Sequence, residues 1–210
     1  ELPSRWLPSL GTQTERQAVG NAPSAFELVK LGRIAAYIAT SDTVFHSYDG
    51  TADLPMVDLL KNDKAKTQAA LDKAHLTTPT TTSTNAFLVN TGSRLILVDT
   101  GSGALFGPTL GKLADNLKAS GYRPEQVDDI LITHFHPDHV GGLMVNGKIA
   151  FPNATVHADK RDADYWLSQE NMARAPKDFT GFFQGAMTSL TPYVKAGSGW
   201  MTQGEYMRKQ

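Results

Sequence analysis

The 210-residue chain has no cysteine. That excludes a disulfide framework, a thiolate zinc site and a cysteine nucleophile, and it leaves the redox compartment open. Neither charge is in excess: 20 Lys and Arg stand against 21 Asp and Glu, a formal charge of −1. The electrostatic footprint of a nucleic-acid binder is therefore missing, and no run of like charges suggests a tail. No apolar stretch approaches the ~18 residues a bilayer span requires; those present are as short as residues 95–98. The expected partner is a small molecule, with no nucleic acid and no membrane. No internal repeat is visible. The chain opens on Glu1 rather than Met, a start compatible with a removed export signal or with trimming.

What is present suits a folded α/β domain. Residues 1–24 mix prolines and glycines with polar residues and read as an extended arm. Residues 26–38 carry two apolar stretches around Gly32, a hairpin pattern. Residues 41–55 are rich in turn formers, 64–76 read as a surface helix, and the Thr-rich 77–84 as a loop entering a strand. Strands are expected at 86–89 and 95–98 around a turn at Thr91-Gly92-Ser93. A helix is expected from Pro108 through Leu110, Leu113 and Leu117 to Gly121. A strand at 130–132, a polar loop at 133–142, a strand at 154–157 and helices near 159–167 and 178–194 complete the alternation; Gly181 and Gly185 count against the last helix.

Half of the six histidines fall in His134-Phe135-His136-Pro137-Asp138-His139. Alternate residues leaving a strand share a face, so His134 and His136 turn to one side, and the turn at Pro137 lets Asp138 and His139 approach from another. Imidazole and carboxylate donors suit one or two divalent ions, zinc foremost. The alternative is a set of solvated loop histidines. Gly141 and Gly142 remove side chains where backbone passes close by. His157 reads as structural, and His46 and His75 as surface residues. Asp99 closes an apolar strand, where it either caps a turn or orients the histidines.

Val98-Asp99-Thr100-Gly101 followed by Thr133-His134-Phe135-His136-Pro137-Asp138-His139-Val140-Gly141-Gly142 resembles the metallo-β-lactamase superfamily of metal-dependent hydrolases. Within it, the stretches Phe87-Leu88-Val89-Asn90-Thr91-Gly92-Ser93, Phe106-Gly107-Pro108-Thr109-Leu110-Gly111 and Gly181-Phe182-Phe183-Gln184-Gly185-Ala186-Met187 are similar to the methyl parathion hydrolase group. The resemblance implies an αββα sandwich over residues 25–197. It implies two zinc ions, one held by His134 and His136 and the other by Asp138 and His139, with Asp99 supporting them and Asp138 the one acid near the reaction. Metal-bound hydroxide would attack phosphorus in an organophosphate triester, with a lactonase or esterase as the alternative. Phe106, Trp166 and Phe183 would line the pocket for an aryl substrate. A homodimer and a periplasmic or secreted location are further expectations. The superfamily's later histidines and bridging aspartate have no counterpart in residues 198–210, so the sandwich is expected to be truncated in its second half, as a catalytically impaired domain would be.

Overall fold

The computed structural model describes residues 15–18, 27–31, 34–38, 43–60 and 63–197, with side chains from Asp49 onward. In chain order the first elements are β1 (Glu15–Ala18), β2 (Glu27–Leu31), β3 (Ile34–Ile38), β4 (Thr43–Leu54), α1 (Met56–Leu59) and α2 (Lys64–Lys73). They are followed by β5 (Thr80–Asn90), β6 (Leu95–Val98), α3 (Leu113–Ala119), β7 (Asp129–Leu131) and α4 (Pro137–Val140). The chain continues through β8 (Met144–Val145), β9 (Lys148–Ile149), β10 (Thr155–His157), α5 (Lys160–Trp166), α6 (Gln169–Arg174) and α7 (Thr180–Lys195).

Six strands form one mixed sheet in the order β1-β4-β5-β6-β7-β10. Pairing is antiparallel from β1 to β6 and parallel from β6 through β7 to β10. The parallel half requires crossovers, and α3 lies in the one between β6 and β7. The expected helix-flanked α/β architecture is thus present. The hairpin expected at 26–38 is β2 against β3, with Glu27 opposite Ile38. Among the described residues, sheet outside the main one consists of this ribbon and β8–β9. The tail at 198–210 and most of the arm at 1–24 lie outside the described residues.

One face of the sheet is sealed. Ala86, Leu88, Leu97, Ile130 and Val156 are fully buried and belong to one core with Leu113 and Leu117 of α3 and Phe183, Ala186, Leu190 and Tyr193 of α7. Each fully buried aliphatic or aromatic side chain contributes roughly 1.5–3 kcal/mol. On the opposite face Phe87, Val89, Ile96, Val98 and Leu131 are half-buried.

Three sequence expectations need correction. Residues 41–55 are mostly the long strand β4 rather than turns. A register shift between Tyr48 and Gly50 absorbs the turn formers, and Gly50 (φ 141°) lets the 107–112 segment cross closely: a Cβ there would lie 2.1 Å from the Thr109 carbonyl. The Thr-rich stretch is strand from Thr80, paired with the end of β4, because β-branched residues suit a pleated surface. The helix expected from Pro108 begins only at Leu113. Gly107 and Gly111, both at positive φ, turn the chain first. At the C-terminal end α7 does form despite Gly181 and Gly185, because Phe183, Ala186, Leu190 and Tyr193 recur at helical spacing and bury one face.

Candidate metal centre

The cluster sits where β6, β7 and α4 end or begin together. β6 finishes at Val98, and Asp99 turns the chain with φ 58°, a left-handed conformation that aspartate tolerates better than most residues. Thr100 donates from its backbone N–H (2.8 Å) and its hydroxyl (2.9 Å) to the His139 carbonyl. Pro137, at the first position of α4, has the φ a helix start needs. Gly141 and Gly142 are required by backbone contact: a Cβ would lie 2.0 Å from the Ser102 carbonyl oxygen or 1.8 Å from that of Thr100. The expected close approach is real, and it locks the α4 turn onto the loop after β6.

Asp99 is buried and fully bonded. Its carboxylate accepts from the Thr133 N–H, the Thr133 hydroxyl and His139 Nδ1, each at 2.8 Å. Of the two readings offered by the sequence, orienting a histidine describes these contacts. The Thr133 hydroxyl spends its one proton on Asp99, so its contact with His134 Nδ1 (3.1 Å) has the imidazole as donor. His134 and His139 therefore both carry hydrogen on Nδ1 and direct Nε2 elsewhere; His139 Nε2 meets Asp138 Oδ2 at 3.3 Å.

The three imidazoles crowd together. Ring centroids are 3.9 Å apart for His134 and His139 and 4.7 Å for His134 and His136. Burial, followed by the His139 and His136 charges, lowers the His134 pKa; burial also lowers that of His136. For His139 burial acts the same way, but hydrogen bonds to Asp138 and Asp99 prevail and push it up to about 9. Burial opposes ionisation of Asp138, yet the His139 hydrogen bond and charge hold it below the usual carboxylate range.

By kind, this donor set fits a divalent transition metal: His134 and His136 are kept neutral by burial, His134 and His139 commit Nδ1 to an oxygen partner, His139 would give up its Nε2 proton to a metal, and Asp138 is an ionised carboxylate. By number it is incomplete, since among the described residues no group of three or more His, Asp or Glu is disposed to hold one ion.

Aromatic rings surround His136. Trp166 of α5 meets it edge-on at 5.4 Å, Phe182 of α7 does so at 5.3 Å, and Phe106 leans on Phe182 at 6.2 Å. Two of the three expected pocket residues, Phe106 and Trp166, are thus close to the cluster. Phe183 does not face the cluster: it is fully buried in the core, and its neighbour Phe182 is the ring that meets His136. The signal was in the sequence, because Phe183 rather than Phe182 shares a helical face with Ala186, Leu190 and Tyr193.

His157 is structural as expected, with Nε2 bonded at 2.8 Å to buried Asp129, which also pairs with Arg94. His75 is exposed, and the His46 side chain lies outside the described residues. Sequence reasoning missed Asp49. Completely buried, it accepts from the N–H groups of Ser102 (2.9 Å), Gly111 (3.1 Å) and Leu113 (3.1 Å), gathering the loop after β6 and the start of α3. An Asp-Gly pair in a turn-rich stretch carries no sign of that role.

Comparison with known proteins agrees with this geometry. The family model described as the metallo-beta-lactamase superfamily matches residues 79–186. Among curated proteins, the beta-lactamase-like protein 2 homolog of Drosophila melanogaster is 41% identical over 77 residues, 35% of this chain and 24% of the relative. The atrochrysone carboxyl ACP thioesterase of Passalora fulva is 32% identical over 92 residues, 44% of this chain and 25% of the relative. Among solved structures, a hydrolase of the beta lactamase superfamily, AbOPH, matches with a TM-score of 0.69 and 35% identity, covering 84% of this chain and 60% of that one. The dizinc quorum-quenching lactonase AidC matches with a TM-score of 0.65 and 23% identity, a likeness of fold, over 85% of this chain and 61% of that one. The chain therefore spans less than two thirds of each of these relatives.

Proposed function

The chain belongs to the metallo-beta-lactamase superfamily, and from that membership we propose that it is a hydrolase of neutral aryl phosphotriesters, of the methyl parathion type, working at the His134–His139 cluster. The observation that carries the proposal is the juxtaposition of the imidazole and carboxylate cluster with the aromatic wall of Trp166, Phe182 and Phe106. Zinc, bound through His134, His136, Asp138 and His139, would supply Lewis acidity and a water acidic enough to ionise near neutrality.

The chain's own residues prepare the rest. Asp99 holds His139 in one tautomer and one orientation. Burial keeps His134 and His136 neutral, with a lone pair to offer. Asp138 stays ionised beside His139 and is the carboxylate nearest the reacting groups. Phe106 and Phe182 present apolar faces to an aryl group, and the largely buried Trp166 backs them beside His136. A nitrophenolate leaves as a weak base, so the absence of a dedicated acid among these residues is no obstacle. A homodimer exported from a bacterial cytoplasm is part of the same proposal.

The test is hydrolysis of methyl parathion by the purified chain, before and after exhaustive chelation and after adding Zn²⁺. The expected outcome is loss on chelation and recovery with zinc, with the metal content per chain followed by elemental analysis. Activity that survives complete chelation overturns the metal-dependent reading. Metal-dependent turnover of a lactone or thioester but not of the triester overturns the substrate class alone.

A further inference from the structure

Helix α5 carries an acidic side chain on the helix face that Trp166 occupies. Trp166, the last residue of α5, meets His136 edge-on. Asp162 lies one helical turn earlier, and residues four apart share a helix face, so Asp162 is on the same side. It is half-buried. The neighbouring acids on this helix have partners: Asp159 caps the helix and pairs with Arg161, and Asp164 pairs with Lys160. Asp162 has no hydrogen bond or ion pair among the described residues.

We infer that Asp162 is a charge-selecting residue on the pocket wall beside His136, favouring neutral and cationic aryl ligands over anionic ones. The inference rests on reading the Trp166–Phe182–Phe106 surface as the ligand site. A half-buried carboxylate next to apolar rings projects its field into the space a ligand would fill, where water screens it less than on the open surface. A role confined to the α5 N-terminus is the competing explanation, since an acid in the first turn suits the helix dipole. That position is already served by Asp159, whose side chain accepts from the Arg161 N–H.

The experiment is a binding measurement, so it does not depend on turnover. Three nitroaryl probes of similar size, 4-nitrobenzylammonium, 4-nitrobenzamide and 4-nitrobenzoate, are titrated into the full chain at pH 7, and quenching of tryptophan fluorescence gives Kd. Comparison is between the natural protein, Asp162→Asn and Asp164→Asn, the last an exposed acid on the same helix. The ratio of benzoate to benzylammonium Kd should fall about five- to tenfold in Asp162→Asn and stay within twofold in Asp164→Asn. The amide should bind both variants as it binds the natural chain, and 0.5 M NaCl should narrow the ratio in the natural chain. An unchanged ratio in Asp162→Asn overturns the inference. So does an equal change in Asp164→Asn, which would mean only net charge, or a weakening of all three probes alike, which would mean a structural role. Failure of all probes to bind overturns it as well. Selective binding without hydrolysis would leave this inference standing while removing the proposed reaction.

Discussion

At the scale of single residues, the decisive contacts are those of carboxylates and phenols that no periodicity announces. Asp99 holds His139 Nδ1 and both donors of Thr133. Replacing it by Ala should weaken zinc binding by about 10- to 100-fold in a chelator competition, since partners of this kind orient and polarise the ligand they touch. Zinc affinity unchanged in that variant would reduce Asp99 to a turn residue. Tyr193 offers a test of a different kind. Its hydroxyl donates to the Leu143 carbonyl (3.0 Å) and accepts from the Phe151 N–H (3.1 Å). Burial pushes its pKa up to about 12, against the pull of the Phe151 N–H. The unfolded chain releases this proton near pH 10 and the folded chain near 12, so between those values the folded state binds more protons and stability falls as pH rises. Denaturant unfolding at pH 9 and 11.5 should show an alkaline loss that is roughly 1.5–2 kcal/mol smaller in Tyr193→Phe. At pH 7 the same variant should be less stable by about 1–3 kcal/mol, because Leu143 and Phe151 lose a buried partner.

At the scale of elements, the site is a meeting of strand ends and one short helix, and its geometry is enforced from behind. Asp49 of β4 lies outside the histidine cluster, yet it binds three backbone amides of the loop after β6 and the segment leading into α3. Asn at this position has one acceptor oxygen where the carboxylate has two, so at least one buried amide loses its partner. Asp49→Asn should therefore cost about 2–4 kcal/mol and lower Tm by roughly 5–15 °C in a thermal melt. A Tm within 2 °C of the natural chain would mean that water replaces the lost bond at roughly no cost. How far these elements were legible follows the same logic. Helix α7 was readable from the spacing of its buried residues, and β6 and β7 from their unbroken apolar runs. The strand β4 was not readable, because its turn-forming residues serve a bulge and a backbone crossing that depend on residues 107–112, far away in the chain.

At the scale of the whole molecule, one mixed sheet and the helices α3 and α7 enclose a single core, and the candidate centre lies at the edge of that core where β6 and β7 end. The chain covers 60% of the solved hydrolase AbOPH, and among its described residues no three donors close around one ion. The number of ions per chain is therefore the measurement on which the proposed activity turns. Residue types and spacing alone determined the α/β class, the hairpin β2–β3 and the ligand-type cluster His134–His139, because each depends on neighbours within a few positions or on the order of such local patterns. Tertiary structure alone decided that His139 is the histidine Asp99 clamps and that Asp49 gathers the loops behind the site. Those outcomes depend on which surfaces meet after the sheet has assembled, and hydrogen bonds between residues 34 to 64 positions apart leave no trace in local sequence.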